Sequence, residues 1–252
     1  MAQLISIHSF RGGTGKSNAT ANLAGVLARE GKRVGVIDLD IQSPGIHVLF
    51  EMDQEADMRH SLNDYLWGDC QLRDAAHDVT PSLNGELPGG VWLVPSSMRP
   101  GDIARVMHEG YDVNRLNEGF RRLVDDLSLD VLLLDTHPGI NEETLLSIAM
   151  SNALAIVMRP DHQDYEGTHV AVAVARKLGV PRMVIVVNKT PAVFDEREVK
   201  HRVEETYQCT VAAVLPHSDD LMVLSSGGVF VLRYPDHPLT ALYRDIASRL
   251  VG

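Results

Sequence analysis

Apolar residues gather in short, nearly unbroken runs of four or five residues, at 4–7, 34–37, 91–94, 131–134, 153–157, 183–187 and 211–214. Runs of that kind suit strands covered on both faces, as in a parallel sheet. Between most of them the spacing predicts helices over 17–30, 113–127, 142–150, 167–178 and 196–205. A last helix is predicted over 239–250, with Leu239, Leu242, Ile246 and Leu250 on one face. This alternation predicts a doubly wound α/β fold, a mostly parallel sheet flanked by helices with right-handed crossovers. One stretch, 51–90, breaks the rhythm with short helical pieces at 61–67 and 72–76 and a Pro- and Gly-rich loop at 81–90. Neither piece is large enough to bury a core alone. The expectation is therefore one domain over 1–252 with an elaborated segment at 51–90.

Composition narrows the class. A chain of 252 residues, 44% hydrophobic and 23% charged, reads as globular, and a core of that size needs no disulfide staple. No apolar run reaches the length of a membrane span, and the N-terminus lacks the pattern of a signal peptide. Cys70 and Cys209 are too few and too far apart for a disulfide framework or a CxxC pair, so a cytoplasmic setting is expected. The net charge of -11 disfavours DNA and anionic lipid. Residues 181–252, however, carry eight basic and nine acidic residues, so a basic surface has most room to form there. The eleven histidines show no HxxH or HxxxH pair and are read as core or solvated side chains. Trp67 and Trp92 are read as core, and His137 as part of a turn.

The candidate chemistry starts at the first strand, which runs into His8-Ser9-Phe10-Arg11-Gly12-Gly13-Thr14-Gly15-Lys16-Ser17 and then a helix. Glycines let backbone N–H groups turn inward as a nest, and the helix N-terminus adds its positive end. Lys16 is placed to reach the β- and γ-phosphates of a nucleotide, and the Ser17 hydroxyl to ligate Mg²⁺. The strict phosphate-loop pattern has glycine where this chain has Phe10. Asp38-Leu39-Asp40 ends the second strand, where ligands of open α/β sheets bind. Either carboxylate is a candidate to orient an attacking water. Leu132-Leu133-Leu134-Asp135-Thr136 is an apolar strand ending in Asp, the arrangement in which a carboxylate supports the water shell of Mg²⁺.

Taken together, Arg11 to Ser17 resembles the deviant Walker A loop of the ParA/MinD ATPases. Asp38-Leu39-Asp40 is similar to their switch I segment and Asp135-Thr136 to the start of their switch II. Val186-Val187-Asn188-Lys189 and Leu215-Pro216 resemble the family's adenine-side segments. The likeness spans residues 1–250, closest in spacing to the MinD branch. It implies a P-loop ATPase that binds ATP and Mg²⁺, closes into a homodimer around two nucleotides and hydrolyses slowly until a partner protein stimulates it. Such a switch positions a cargo or a division site. By the same likeness Gly12, Gly13, Thr14, Gly15, Lys16, Ser17, Asn18, Asn188 and Pro216 contact the nucleotide. Ser17 ligates the metal directly, while Asp38, Asp40 and Asp135 support it mainly through water, and Asp40 polarises the attacking water. Arg11 stands where the family has its signature lysine, which reaches across the dimer to the partner's phosphates.

Family members that act at membranes end in a basic amphipathic helix, which is not expected here, and any DNA binding is expected to be non-specific and weak. Two alternatives remain: a regulatory docking module with little turnover, and a dethiobiotin-synthetase-like ligase. Iron–sulfur carriers share the loop but need cysteines near the dimer axis. Bacterial tyrosine kinases share it too but carry a C-terminal tyrosine cluster, and this chain has only Tyr234 and Tyr243 near its end.

Overall fold

The computed structural model describes residues 2–53, 57–83, 85–224 and 227–252. Each apolar run is a strand: β1 (Gln3–His8), β2 (Arg33–Asp38), β4 (Gly90–Val94), β5 (Val131–Asp135), β6 (Ala153–Met158), β7 (Arg182–Thr190) and β8 (Thr210–Pro216). A two-residue strand, β3 (His77–Asp78), completes an eight-stranded sheet in the order β3-β4-β2-β5-β1-β6-β7-β8. All pairings are parallel except β3 on β4, where His77 opposes Leu93 and Asp78 opposes Trp92. The elaborated segment thus caps one sheet edge with a short antiparallel strand, a device that blunts an exposed edge.

One face of the sheet is sealed by α1 (Lys16–Arg29) and α11 (Pro238–Val251), whose Leu23, Leu27, Tyr243 and Ile246 join Ile5 and Ile7 of β1 in one core. The other face carries two separate cores. Under α5 (Asn114–Asp126), Leu116, Phe120 and Leu123 pack on β2 and β5. Under α7 (His162–Lys177) and α8 (Glu196–Tyr207), Ala171, Val172 and Val203 pack on β6 to β8. Between them β1 presents Ser6, whose hydroxyl shares a 2.8 Å hydrogen bond with Ser151 at the end of α6 (Glu142–Met150).

Three local readings are corrected. A helix over Pro100–Glu109, α4, was not anticipated: proline at its first position is a start signal, but the helix buries no residue fully, so its apolar pattern is thin. The helix expected from 167 begins at His162, because Asp161 caps it by accepting from the Asp164 N–H. Trp67 and Trp92 are only half-buried, their rings covered by the Arg105 and Arg33 guanidinium groups at 4.1 and 4.3 Å.

Candidate functional site

Parallel pairing brings the C-terminal ends of β1, β2, β5 and β7 to one edge, and the loop from β1 to α1 lies over them. Gly13 and Gly15 adopt positive φ, 80° and 93°. At Gly15 a Cβ would sit 2.4 Å from Asn188 Nδ2, so both conformation and contact require glycine. Gly15 also caps α1 without a side-chain hydrogen bond, and the first turn of α1 holds no acidic residue. No capping side chain competes for its first amides, as a site for an anion requires.

Lys16 turns inward, its Nζ 2.9 Å from Asp135 Oδ1 with both side chains buried. The Thr20 hydroxyl donates to the same oxygen at 2.9 Å, whereas Asp135 Oδ2 is buried without a partner. Asp38 stands beside Asp135 in the β2–β5 register. Burial first, and the neighbouring Asp135 charge second, push its carboxyl up to about 8, against the opposing pull of Lys16. Its oxygens accept the Asp40 and Gly45 N–H groups at 3.0 and 3.3 Å, which makes Asp38 the organiser of the turn over 38–45. Asp40, not Asp38, lines the cavity of about 250 Å³ bounded by the loop, Ser17, Asn18 and Pro138.

Asn188 at the end of β7 donates to the Thr14 carbonyl at 2.8 Å, and Lys189 Nζ donates to the Gly13 carbonyl at 2.8 Å. Lys189 has φ 55°, unusual for a side chain of its size. The pair braces the loop from the side. Sequence reasoning placed Asn188 near a base but missed Lys189 as a brace, since nothing in the local pattern marks a left-handed lysine. Pro216 ends β8 opposite Thr190 and borders a separate cleft of about 600 Å³.

The start of the loop leans on α7. The Phe10 ring fills the space where a Gly167 Cβ would lie, 2.2 Å from Phe10 Cδ1. Arg11 donates to Gln163 Oε1 of its own chain. His8 is fully buried, with its Nδ1 2.9 Å from the Thr136 hydroxyl. Burial chiefly, with Lys16 and His137 nearby, lowers its pKa to about 3, so the ring is neutral. Thr136 donates to the Ile7 carbonyl, so it accepts from His8 Nδ1–H and leaves Nε2 without a partner. His137 is more than a turn residue: its Nδ1 lies 2.6 Å from Asp40 Oδ1.

A larger cavity, about 660 Å³, lies between α7 and α8. The smaller one is the better candidate because the glycine-rich loop, the buried Lys16 and the unpartnered Thr14 line it, with Asp135 held against Lys16. Among the described residues no three His, Cys, Asp or Glu side chains are arranged to hold a metal ion. Ser17 and Asp40, which both line the cavity, offer the oxygen donors that Mg²⁺ takes alongside its waters.

A family model described as ParA, the NUBPL iron-transfer P-loop NTPases, matches residues 1–251. The chain belongs to this ParA family. Among its relatives, an uncharacterised ATP-binding protein of Methanocaldococcus jannaschii is 29% identical over all of this chain and 89% of its own length. The flagellum site-determining protein YlxH of Helicobacter pylori is 30% identical over 63% of this chain and 49% of its own. Among solved structures, the septum site-determining protein MinD of Pyrococcus horikoshii, complexed with Mg-ADP, superposes with a TM-score of 0.81 at 22% identity, covering 98% of this chain and 95% of that one. The fold is therefore that of the MinD and ParA ATPases, and the family includes site-determining proteins. No helix among the described residues is long and apolar enough to cross a membrane.

Proposed function

We propose that this ParA-family chain is a Mg²⁺-ATP-dependent switch that hydrolyses ATP slowly and dimerises with it. In this reading it positions a cargo or a site through a partner protein. The observation that carries the reading is Lys16, a buried ammonium held on Asp135, in a glycine-rich loop that lines a cavity at the start of α1. The Gly12 to Gly15 amides cradle the phosphates, Lys16 binds the β- and γ-phosphates, and Asn18 and Asn188 flank the rest of the nucleotide, whereas Pro216, on a separate cleft, meets it only if the base reaches that cleft. Ser17 would hold the metal, with Asp38, Asp40 and Asp135 as the carboxylates that would support it through water. When bound, Mg²⁺ neutralises phosphate charge. Asp40, the carboxylate that lines the cavity, orients the water. Arg11 leaves Gln163 on dimerisation and reaches the partner's phosphates.

The family description raises iron transfer as a second reading. The cysteines weigh against it: Cys70 packs on the β2–β5 core and Cys209 on the β6–β8 core, two separate cores on one face of the sheet, and burial raises both thiols to about 11. For DNA, Arg197, Lys200 and Arg202 on α8 alternate with Glu196, Glu198, Glu204 and Glu205, a mixed face that supports at most weak, salt-sensitive contact. Equilibrium binding of a fluorescent ATP analogue, with light scattering across a concentration series, tests the reading. The parent is expected to bind and to double in mass with ATP. A Lys16→Ala variant that binds with parental affinity overturns the site.

A further inference from the structure

The segment after β5 is pinned on both sides of His137. The Thr136 N–H donates to the Ile7 carbonyl at 3.2 Å and the Gly139 N–H to the Ser9 carbonyl at 3.1 Å. The Thr144 hydroxyl donates to the His137 carbonyl at 3.2 Å. The imidazole therefore projects from a fixed backbone, and its Nδ1 meets Asp40 Oδ1 at 2.6 Å. A carboxylate only accepts, so Nδ1–H donates and the ring holds one tautomer. Asp40 belongs to a turn already fixed by its own N–H on Asp38. Its Oδ1 is taken by His137, and no described residue bonds its Oδ2. Asp40 thus lines the cavity with one carboxylate oxygen anchored by His137.

We infer that His137 is a positioning residue for hydrolysis, acting through Asp40 and resting on the reading of Asp40 as the water-orienting carboxylate. The Nδ1–H bond fixes the rotation of the carboxylate, so that Oδ2 accepts the hydrogen of the attacking water. It also ties the segment after β5 to the segment after β2, so the geometry of hydrolysis depends on both segments at once. Small displacements of a catalytic group cost rate far more than they cost binding. His137 therefore serves turnover and contributes nothing to nucleotide affinity.

The test compares His137→Ala, His137→Asn, His137→Gln, Asp40→Asn and the His137→Ala/Asp40→Asn double variant in single-turnover hydrolysis and ATP-analogue binding. His137→Ala is expected to slow turnover by at least about tenfold with parental affinity. Asn carries its amide N–H where Nδ1–H lies and is expected to restore most of the rate; Gln, whose amide lies one carbon further out, is not. The double variant is expected to be no slower than Asp40→Asn, since both act through one carboxylate. Independently of activity, ¹⁵N spectra of the nucleotide-free protein are expected to show His137 protonated at Nδ1, a signature lost in Asp40→Ala, which removes the acceptor. Multiplying losses in the double variant, or no loss in His137→Ala, overturn the role of His137 while leaving Asp40 in place. Parental turnover in Asp40→Asn instead overturns the reading of Asp40, and the inference with it.

Discussion

The loop from β1 to α1 has two halves anchored by different chemistry. Residues 14–16 are gripped by buried polar groups: Asn188 holds the Thr14 carbonyl and Asp135 holds Lys16, with all four residues nearly inaccessible. Residues 10–11 lean on α7 through one ring against one glycine and one hydrogen bond from Arg11 to the exposed Gln163. Breaking a buried pair leaves a charge with nowhere to go, whereas an exposed contact exchanges readily with water. The difference teaches a division of labour. The inner half is held by buried polar groups, and the outer half by contacts at the surface of α7.

The largest expected effect comes from breaking the inner half. Lys16→Ala strands the Asp135 carboxylate and is expected to cost about 3–5 kcal/mol of stability, together with loss of ATP-analogue binding. Urea denaturation and equilibrium binding check both, and a variant as stable as the parent would mean that the buried pair is not the anchor. The strand ends beneath the inner half also have a pH signature. The carboxyl of Asp38 is raised in the fold, so the folded protein holds its proton more tightly than the unfolded chain does. Its contribution is fully present below the ordinary value of 3.8 and fades as pH rises towards about 8. In nucleotide- and metal-free protein, the melting temperature of Asp38→Asn relative to the parent is expected to climb across that window; a constant difference would count against a raised Asp38.

Smaller effects sharpen the outer half. Gly167→Ala drives a methyl into the Phe10 ring and is expected to cost about 1–3 kcal/mol, but far less in a Phe10→Ala background. Thermal melts of the two pairs decide whether that contact is what requires glycine. Smallest for the monomer is Arg11→Ala, expected to leave ATP affinity nearly unchanged while removing ATP-dependent dimerisation, with Arg11→Lys retaining it. Light scattering reads the dimer, and a variant that dimerises like the parent removes Arg11 from the interface.

Much of this was legible along the chain. The apolar runs located every strand except β3, because strands buried on both faces are mostly apolar and a polar residue such as Ser6 needs a buried partner. Gly15-Lys16-Ser17 between a strand and a helix announced the loop, and Asp38, Asp40 and Asp135 stood at strand ends where ligands gather. Strand β3 escaped because two residues set no period. Helix α4 escaped because a helix that buries nothing fully needs no continuous stripe. Lys189, Gln163 and His137 escaped for another reason. Each acts on a residue between 97 and 176 positions away, and no local spacing records such a pairing.

The sequence by itself determined the alternation of elements, the glycine-bearing loop and the acidic strand ends, since these follow from periodicity, backbone freedom and residue chemistry within short windows. Only the tertiary structure decided where each carboxylate stands and what it meets. Asp38 and Asp40 lie two residues apart and look equivalent in the chain. Packing beside Asp135 buries Asp38 in a turn and raises its pKa, while Asp40 meets His137 and lines the cavity. Desolvation and through-space partners set these roles, and both exist only once distant strands lie side by side.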